Sequence, residues 1–415
     1  MIHKRLLQRE IEKGIKSRPV LYLKGPRQVG KSTLVQDLPL KDAQYISFDS
    51  PLVLESAKNA PAAFIKGLNK DSLVILDEIQ LAPELFRYIK IEVDEARQQG
   101  RNHALFLLTS SANLLALPAL SDALVGRMSV LELYPFSAGE YFSTDKNFVE
   151  EVFNTDFSIA KIKKDDLLEA IKNATFPEIA LNQDINRTKW FDDYLTTIIQ
   201  RDVKTLSDIR HPEKIITLLS VLSHRPGALM NDSAICSEVG LDRKTYEKYK
   251  AQIMNTFLAF EVKPWAPSNS YKKRFIKSPR LYFTDTNLLA YIMRRDIDEI
   301  FKNDPRVFGF IFENFVATEI LKQVSMLPEA DFYHFRTTSG KEVDFVIEKT
   351  NGDVLAIEVK AAGSANSDDF KGLAELRSIV GDKFKKGIVL YNGSELVPFG
   401  EDFWAVPADM LWQKF

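Results

Sequence analysis

Val20-Leu21-Tyr22-Leu23-Lys24-Gly25-Pro26-Arg27-Gln28-Val29-Gly30-Lys31-Ser32 is the stretch that decides the fold. A short apolar run reads as a strand. The next eight residues match G-x-x-x-x-G-K-[ST] without a departure. Glycines at both ends let the backbone curl so that its N–H groups face a phosphate, and the helix that follows offers its positive end to an anion. Gly25, Pro26, Arg27, Gln28, Val29, Gly30, Lys31, Ser32 and Thr33 are therefore the candidate nucleotide-binding residues. Lys31 is placed to reach the β- and γ-phosphates, and the Ser32 hydroxyl to hold Mg²⁺.

Working outward, such a loop needs an acid at the end of a neighbouring strand. Leu73-Val74-Ile75-Leu76-Asp77-Glu78 supplies it, 46 residues after Lys31. Asp77 is expected to hold Mg²⁺ through water, and Glu78 to polarise the attacking water. Another apolar run enters Thr109-Ser110-Ser111-Ala112-Asn113. A polar side chain at that strand tip can touch the γ-phosphate. Ser111 is the first choice and Thr109 and Ser110 are rivals, although serines in such turns also serve as plain helix caps. Arg127 follows a helical segment and precedes a strand. It can act as a finger on a neighbouring subunit's nucleotide, or simply pair with an acid on the surface. Residues 45–48, 73–76, 104–108 and 130–133 are apolar, strand-like and separated by helical stretches such as 83–99. That alternation predicts a parallel sheet covered by helices.

The chain has 415 residues, Lys+Arg 55 against Asp+Glu 57, and a net charge of −2. This excludes a polycation coating nucleic acid non-specifically, and an acidic solvating tail. One cysteine, Cys236, excludes a disulfide framework and suits a reducing cytoplasm. The charged N-terminus does not read as a signal peptide. No uncharged run approaches the ~20 residues that span a bilayer, so no membrane role is expected.

Further along, residues 233–239, Gly240 and 243–257 read as helix, tight turn, helix, followed by charged strand-like sequence. This order suits a winged helix-turn-helix. Residues 241–280 hold ten Lys/Arg and three Asp/Glu, a net of +7 in a chain of −2. Arg243, Lys244, Lys248 and Lys250 fall on or near the recognition helix. Lys272, Lys273, Arg274, Lys277 and Arg280 fall on the wing, with Tyr246, Tyr249, Trp265 and Tyr271 interleaved. Clustered cations of this kind contact phosphates, so Arg243, Lys244, Lys248, Lys272, Lys273, Arg274 and Lys277 are candidate DNA contacts. A solvated helix face, or a winged helix used on protein, is the alternative.

In the last hundred residues, Glu313 lies on a helical stretch, Asp344 on one strand, and Glu358 and Lys360 on the next. A turn centred on Asn351-Gly352 sets Asp344 opposite Val359, flanked by Glu358 and Lys360. Two carboxylates and a lysine can hold Mg²⁺ and activate water. The set resembles the PD-(D/E)XK nuclease core, including the acid on the preceding helix. Three readings stay open: an active metal nuclease, a nuclease-like fold that binds DNA without cutting, and an internal ion-pair network.

The strand with GPRQVGKS, then LVILDEIQ, LLTSS and LVGRM, in this order, resembles the predicted AAA+-superfamily ATPases of bacteria and archaea, in which an ATPase domain precedes a C-terminal domain of long-unknown function. Ile198-Ile199-Gln200-Arg201-Asp202 and Tyr282-Phe283-Thr284-Asp285-Thr286 also resemble segments of that family. Asn173-Ala174-Thr175-Phe176-Pro177-Glu178 departs from it, because the family has two glycines before Phe-Pro-Glu. The resemblance implies an oligomeric ATPase with ATP and Mg²⁺ at subunit interfaces. Arg127 or Arg201 would then come from the next protomer.

The expected organisation is α/β throughout: an AAA+-like P-loop domain over 1–141, a lid or linker over 142–180, a helical and winged-helix domain over 181–295, and a nuclease-like domain over 300–415. The expected function is an ATP-driven motor on DNA, through translocation, branch migration or ATP-gated processing. Its alternatives are a nucleotide-dependent signalling or defence switch acting through protein partners, and an ATP-regulated DNA nuclease. Self-association into a ring or another homo-oligomer and a cytoplasmic setting complete the expectation.

Overall fold

A computed structural model describes residues 3–40, 42–69, 71–101, 104–113, 126–203, 211–267 and 278–413. The chain divides into two compact units, Met1–Pro135 with Gln252–Phe257, and Phe136–Ala251 with Leu258–Phe415.

The first unit is built on a five-stranded parallel sheet. Its strands are β1 (Val20–Lys24), β2 (Gln44–Ser47), β3 (Val74–Asp77), β4 (Phe106–Ser110) and β5 (Met128–Glu132), in the order β2-β3-β4-β1-β5. The inner strands carry the continuous apolar runs. Val20, Leu21, Tyr22 and Leu23 are all fully buried, as a strand covered on both faces requires. The edge strands β2 and β5 are only partly buried. Helix α1 (Gln8–Ser17) packs on β1 and buries Ile11, α2 (Lys31–Asp37) starts directly at the phosphate-loop motif, and α3 (Leu85–Gln98) buries Phe86, Ile89 and Val93. One expectation is corrected here. β3 is not the neighbour of β1, because β4 lies between them, pairing with β1 on one side and β3 on the other.

The second unit holds a nine-stranded mixed sheet. Its strands are β6 (Ala160–Lys161), β7 (Ala259–Pro264), β8 (Arg280–Phe283), β9 (Ala330–Arg336), β10 (Glu342–Lys349), β11 (Val354–Lys360), β12 (Phe384–Tyr391), β13 (Glu395–Pro398) and β14 (Phe403–Pro407). Their order is β6-β13-β14-β12-β11-β10-β9-β7-β8. The helix-turn-helix order is present: α4 (Glu213–Ser223), α5 (Asp232–Val239), Gly240 in the left-handed region at φ 67°, then α6 (Arg243–Asn255). The hairpin that follows, β7 with β8, does not close a separate domain. β7 pairs in parallel with β9, so the sheet runs through the division expected near residue 300. Helix α7 (Pro305–Val324) packs on β8, β9 and β11. Helix α8 (Lys371–Val380) buries Leu373 and Leu376 against Val343, Val354, Ala356 and Val389. The edge strand β8 is tied down by Asn314 of α7. Its Oδ1 accepts the Phe283 N–H at 2.9 Å and its Nδ2 donates to the Phe283 carbonyl at 3.1 Å, which keeps this edge from templating another chain.

The segment 173–178 needs no glycine pair. None of its residues has a positive φ, and Pro177 simply opens a short helix, Pro177–Leu181. Among the described residues no helix is long and apolar enough to cross a membrane.

Candidate functional site

The phosphate-loop site is assembled from the loop after β1 and the tips of β3 and β4. Gly25 has φ +153°, and a Cβ there would lie 2.1 Å from the Leu133 carbonyl oxygen. Gly30 has φ +88°. Both positions require glycine, for close approach and for backbone conformation respectively. Gln28 between them is also left-handed, at φ 61°. The loop thus curls as the motif demands. Lys31, 4% exposed, donates from Nζ to the Gly25 and Pro26 carbonyls at 3.0 and 2.7 Å.

Asp77, 3% exposed, is met by hydroxyls: Ser32 at 3.0 and 3.1 Å, Thr109 at 2.5 Å, and the Tyr45 phenol at 2.8 Å. Register explains each contact. Ser47 pairs with Asp77 across β2 and β3, which brings Tyr45 alongside. The inserted strand β4 delivers Thr109, whose hydroxyl also accepts the Glu78 N–H at 3.1 Å. Burial, and after it Asp77, pushes the Tyr45 phenol up to about 12, so it stays a neutral donor.

Glu78 is held in the left-handed region at φ 59°. Its Oε2 accepts from Ser111 Oγ at 3.0 Å and from the Gln80 amide, which also donates to Ser111 Oγ at 2.8 Å. The three strand-tip rivals are thereby separated. Thr109 serves Asp77, Ser111 serves Glu78, and Ser110 turns back to bond the Ala112 backbone. Sequence reading missed Tyr45, Gln80 and Arg5. The one sequence signal for Gln80 is its place two residues after Glu78. Arg5, 6% exposed, donates to the Val29 and Tyr134 carbonyls, each at 2.6 Å. Nothing in its charged surroundings distinguishes it. Arg127 pairs with Asp94 of the same chain, at 2.6 and 3.0 Å.

The donor set fits a nucleotide with Mg²⁺: a glycine-formed cradle, a buried lysine spending its charge on two carbonyls, and hard oxygen groups at Ser32 and Asp77. It can bind a phosphate chain and present one carboxylate to water.

In the second unit the acids converge, with a different register from that expected. The turn between β10 and β11 has three residues, closed by Lys349 N–H to Asp353 carbonyl at 2.9 Å, with Gly352 at φ +86°. The observed pairs include Phe345↔Ile357 and Val346↔Ala356. One step further sets Asp344 opposite Glu358, not Val359, so both carboxylates share one face. Arg280, assigned to an exposed wing by sequence, is 4% exposed and sits among them. Its Nη1 lies 2.8 Å from Asp344 and 3.6 Å from Glu313, and its Nη2 2.9 Å from Glu342. Lys360 pairs with Glu358 at 2.8 Å. Burial, and then the Asp344 charge, raise Glu313 and Glu358.

Of the candidate DNA contacts, Lys244 and Lys248 are exposed on α6, one turn apart. Arg243 is exposed and pairs with Glu247 at 3.0 Å and Asp232 at 3.3 Å. Lys250 is spent on Glu261 at 2.8 Å. Tyr246, Tyr249 and Trp265 are 0%, 3% and 4% exposed, which corrects the expectation of interleaved surface rings. Lys272, Lys273, Arg274 and Lys277, with Tyr271, lie outside the described residues.

Residues 17–142 match the family model described as an AAA domain. Residues 164–299 and 308–411 match two models that are each described as a domain of unknown function, DUF8612 and DUF4143. The uncharacterized protein Rv2008c of Mycobacterium tuberculosis is 24% identical over 414 residues, 99% of this chain and 85% of the relative. The uncharacterized protein Mb2031c of Mycobacterium bovis matches to the same extent. Among solved structures, a single-residue variant of Thermotoga maritima RuvB is 16% identical, over 65% of this chain and 90% of that one, at TM-score 0.28. The Aeropyrum pernix ORC1 protein in complex with DNA is 11% identical, over 74% and 94%, at TM-score 0.30. At such scores neither a shared arrangement nor a shared substrate follows. The family match and the geometry of Lys31, Asp77 and Glu78 fall in the same stretch: the segment 17–142, which carries the phosphate loop and both strand-tip acids, is the part of the chain that matches the AAA domain.

Proposed function

We propose that this chain is a Mg²⁺-dependent ATP hydrolase that works as an oligomeric motor on DNA. The observation that carries the hydrolase is the convergence of Ser32, Asp77, Thr109, Glu78 and Ser111 beside the glycine-formed loop. Loop N–H groups and Lys31 would bind the β- and γ-phosphates, with Lys31 exchanging two carbonyls for phosphate oxygens. Ser32 and Asp77 would hold Mg²⁺, which supplies charge neutralisation of the phosphates when bound. Glu78 would accept the proton of the attacking water, and Ser111 would orient that water and the γ-phosphate. Arg127, released from Asp94, or Arg201 would complete the site from a neighbouring protomer.

The DNA part rests on Lys244 and Lys248, exposed and one turn apart on the second helix of a helix-turn-helix. The buried Tyr246 and Tyr249 and the paired Arg243 favour a second reading, a nucleotide switch whose basic helix meets an acidic protein surface. The steady-state ATPase rate, with and without single-stranded, duplex and branched DNA, separates the two. Glu78→Gln sets the background. Stimulation of several-fold by one DNA form is expected. Turnover that is indifferent to every form would overturn the motor and leave the switch. No turnover above Glu78→Gln would overturn the hydrolase.

A further inference from the structure

The nuclease resemblance of the second unit implies a divalent metal on Asp344 and Glu358. The residues present do not fit that group. Among the described residues no three His, Cys, Asp or Glu side chains form a metal-ligand set. Asp344 and Glu358 each already face a cation of the chain, where a metal would have to stand. Asp344 Oδ1 is held by Arg280 at 2.8 Å, and Oδ2 accepts the Val359 N–H at 3.0 Å. Glu313 Oε1 accepts the Tyr282 hydroxyl at 2.8 Å, and Glu358 Oε1 is held by Lys360.

We propose that Arg280 is the built-in cation of this cluster, standing where a nuclease would hold its divalent metal, so that the second unit takes up no metal at Asp344 and Glu358. A guanidinium does not lose its proton in a protein, so this is a fixed charge and not a titratable one. It is held from several sides. Arg280 begins β8 opposite Val262 and bridges Leu229. Tyr282, two residues on and so on the same side of the strand, binds Glu313. Gly227, at φ +72°, leaves the space for Glu313, because a Cβ there would lie 2.3 Å from Oε1. The cluster still has an excess of acid. Glu313, Glu342, Asp344 and Glu358 outnumber Arg280 and Lys360, Arg336 lies 3.5 Å from Glu342 at the rim, and Glu358 Oε2 is buried without a hydrogen bond. Without Arg280, an open set of hard oxygen ligands would remain, of the kind that binds a divalent cation.

The test is Mn²⁺ titration of the full chain without nucleotide, following free Mn²⁺ by electron paramagnetic resonance. Wild type and Asp344→Asn should titrate alike. Arg280→Gln should gain a site at least roughly tenfold tighter than any in wild type, lost again in Arg280→Gln with Asp344→Asn. Mn²⁺ binding by wild type that Asp344→Asn removes would overturn the proposal, as would a folded Arg280→Gln that titrates like wild type. If Arg280→Gln melts before it can be titrated, the comparison of wild type with Asp344→Asn and with the near-isosteric Glu358→Gln decides alone.

Discussion

Asp77 at the tip of β3 and Asp344 on β10 are both buried strand aspartates, 3% and 8% exposed, yet they are met by opposite chemistry. Hydroxyls surround Asp77, from Ser32, Thr109 and Tyr45. A guanidinium sits on Asp344. Neutral donors orient a carboxylate without cancelling it, so the charge of Asp77 remains available to a cation that arrives with a ligand. An arginine cancels the charge on folding and makes the carboxylate part of the structure. Two acids that look alike in a sequence therefore differ in kind. The one beside the phosphate loop is ringed by neutral donors, and the other ties β10 to β8 through Arg280, which also faces Glu313 on α7.

Exchanging each acid for its amide should produce crossed effects, the largest expected here. Asp77→Asn should lower ATP turnover on the order of a hundredfold or more, because several kcal/mol of charge stabilisation are lost. It should cost about 1–2 kcal/mol of unfolding stability, less than the loss of an ion pair, because hydroxyl bonds to one carboxylate oxygen are weakened and no buried cation is left unpaired. Asp344→Asn should leave turnover unchanged and cost about 3 kcal/mol, the penalty of stripping a buried arginine of its partner. Paired denaturant melts and ATPase assays on both variants read this directly. Loss of turnover in Asp344→Asn with the melt unchanged would break the comparison.

The asymmetry also explains what could be read from the sequence. Gly25 to Ser32, Asp77, Glu78 and Ser111 could be singled out because phosphate chemistry fixes both residue type and local context, and the fold brings Ser32 to Asp77 and Ser111 to Glu78. The apolar runs of β1, β3 and β4 were legible because strands buried on both faces carry no polar alternation. Thr109 and Tyr45 were not singled out as Asp77 partners, because their role depends on strand order. Only the insertion of β4 between β1 and β3, and the pairing of β2 with β3, bring those hydroxyls to Asp77. Asp344 was placed one residue out of register because Asn-Gly suggests a two-residue turn, whereas the chain closes three. Arg280 was misread for a different reason. A cation in a run of cations reads as surface, and nothing local announces partners 33, 62 and 64 residues away, at Glu313, Glu342 and Asp344.

A smaller effect sharpens the contrast through pH. Glu313 and Glu358 are pushed up to about 7 and about 8 by burial, and then by the Asp344 charge. The native state then binds more protons than the unfolded chain from the ordinary glutamate range near 4.5 up to those values. Stability from this cluster is therefore highest below that range, falls as pH rises through it, and is flat above about 8. Glu358→Gln should flatten the decline by on the order of 1–3 kcal/mol between pH 5 and 8. The readout is the difference between wild-type and variant unfolding free energies across that window, which cancels the other titrating groups. A difference that does not grow with pH would mean Glu358 is ionised throughout.

The finest distinction lies within the hydroxyl shell of Asp77. Tyr45 is held neutral by burial and by Asp77, with its phenol pushed up to about 12, so it donates to Oδ2 at every pH an assay would use. Tyr45→Phe removes one of several donors and leaves Ser32 and Thr109 in place. The carboxylate loses orientation worth about 1 kcal/mol and no charge. The Mg²⁺ concentration for half-maximal turnover should rise roughly two- to fivefold, with kcat within twofold of wild type and the shift the same at pH 6.5 and 8.5. A shift that grew with pH would point to a phenol that ionises. An unchanged Mg²⁺ dependence would mean that Ser32 and Thr109 orient Asp77 by themselves. The edge strand β2 would then contribute packing to the site and no chemistry.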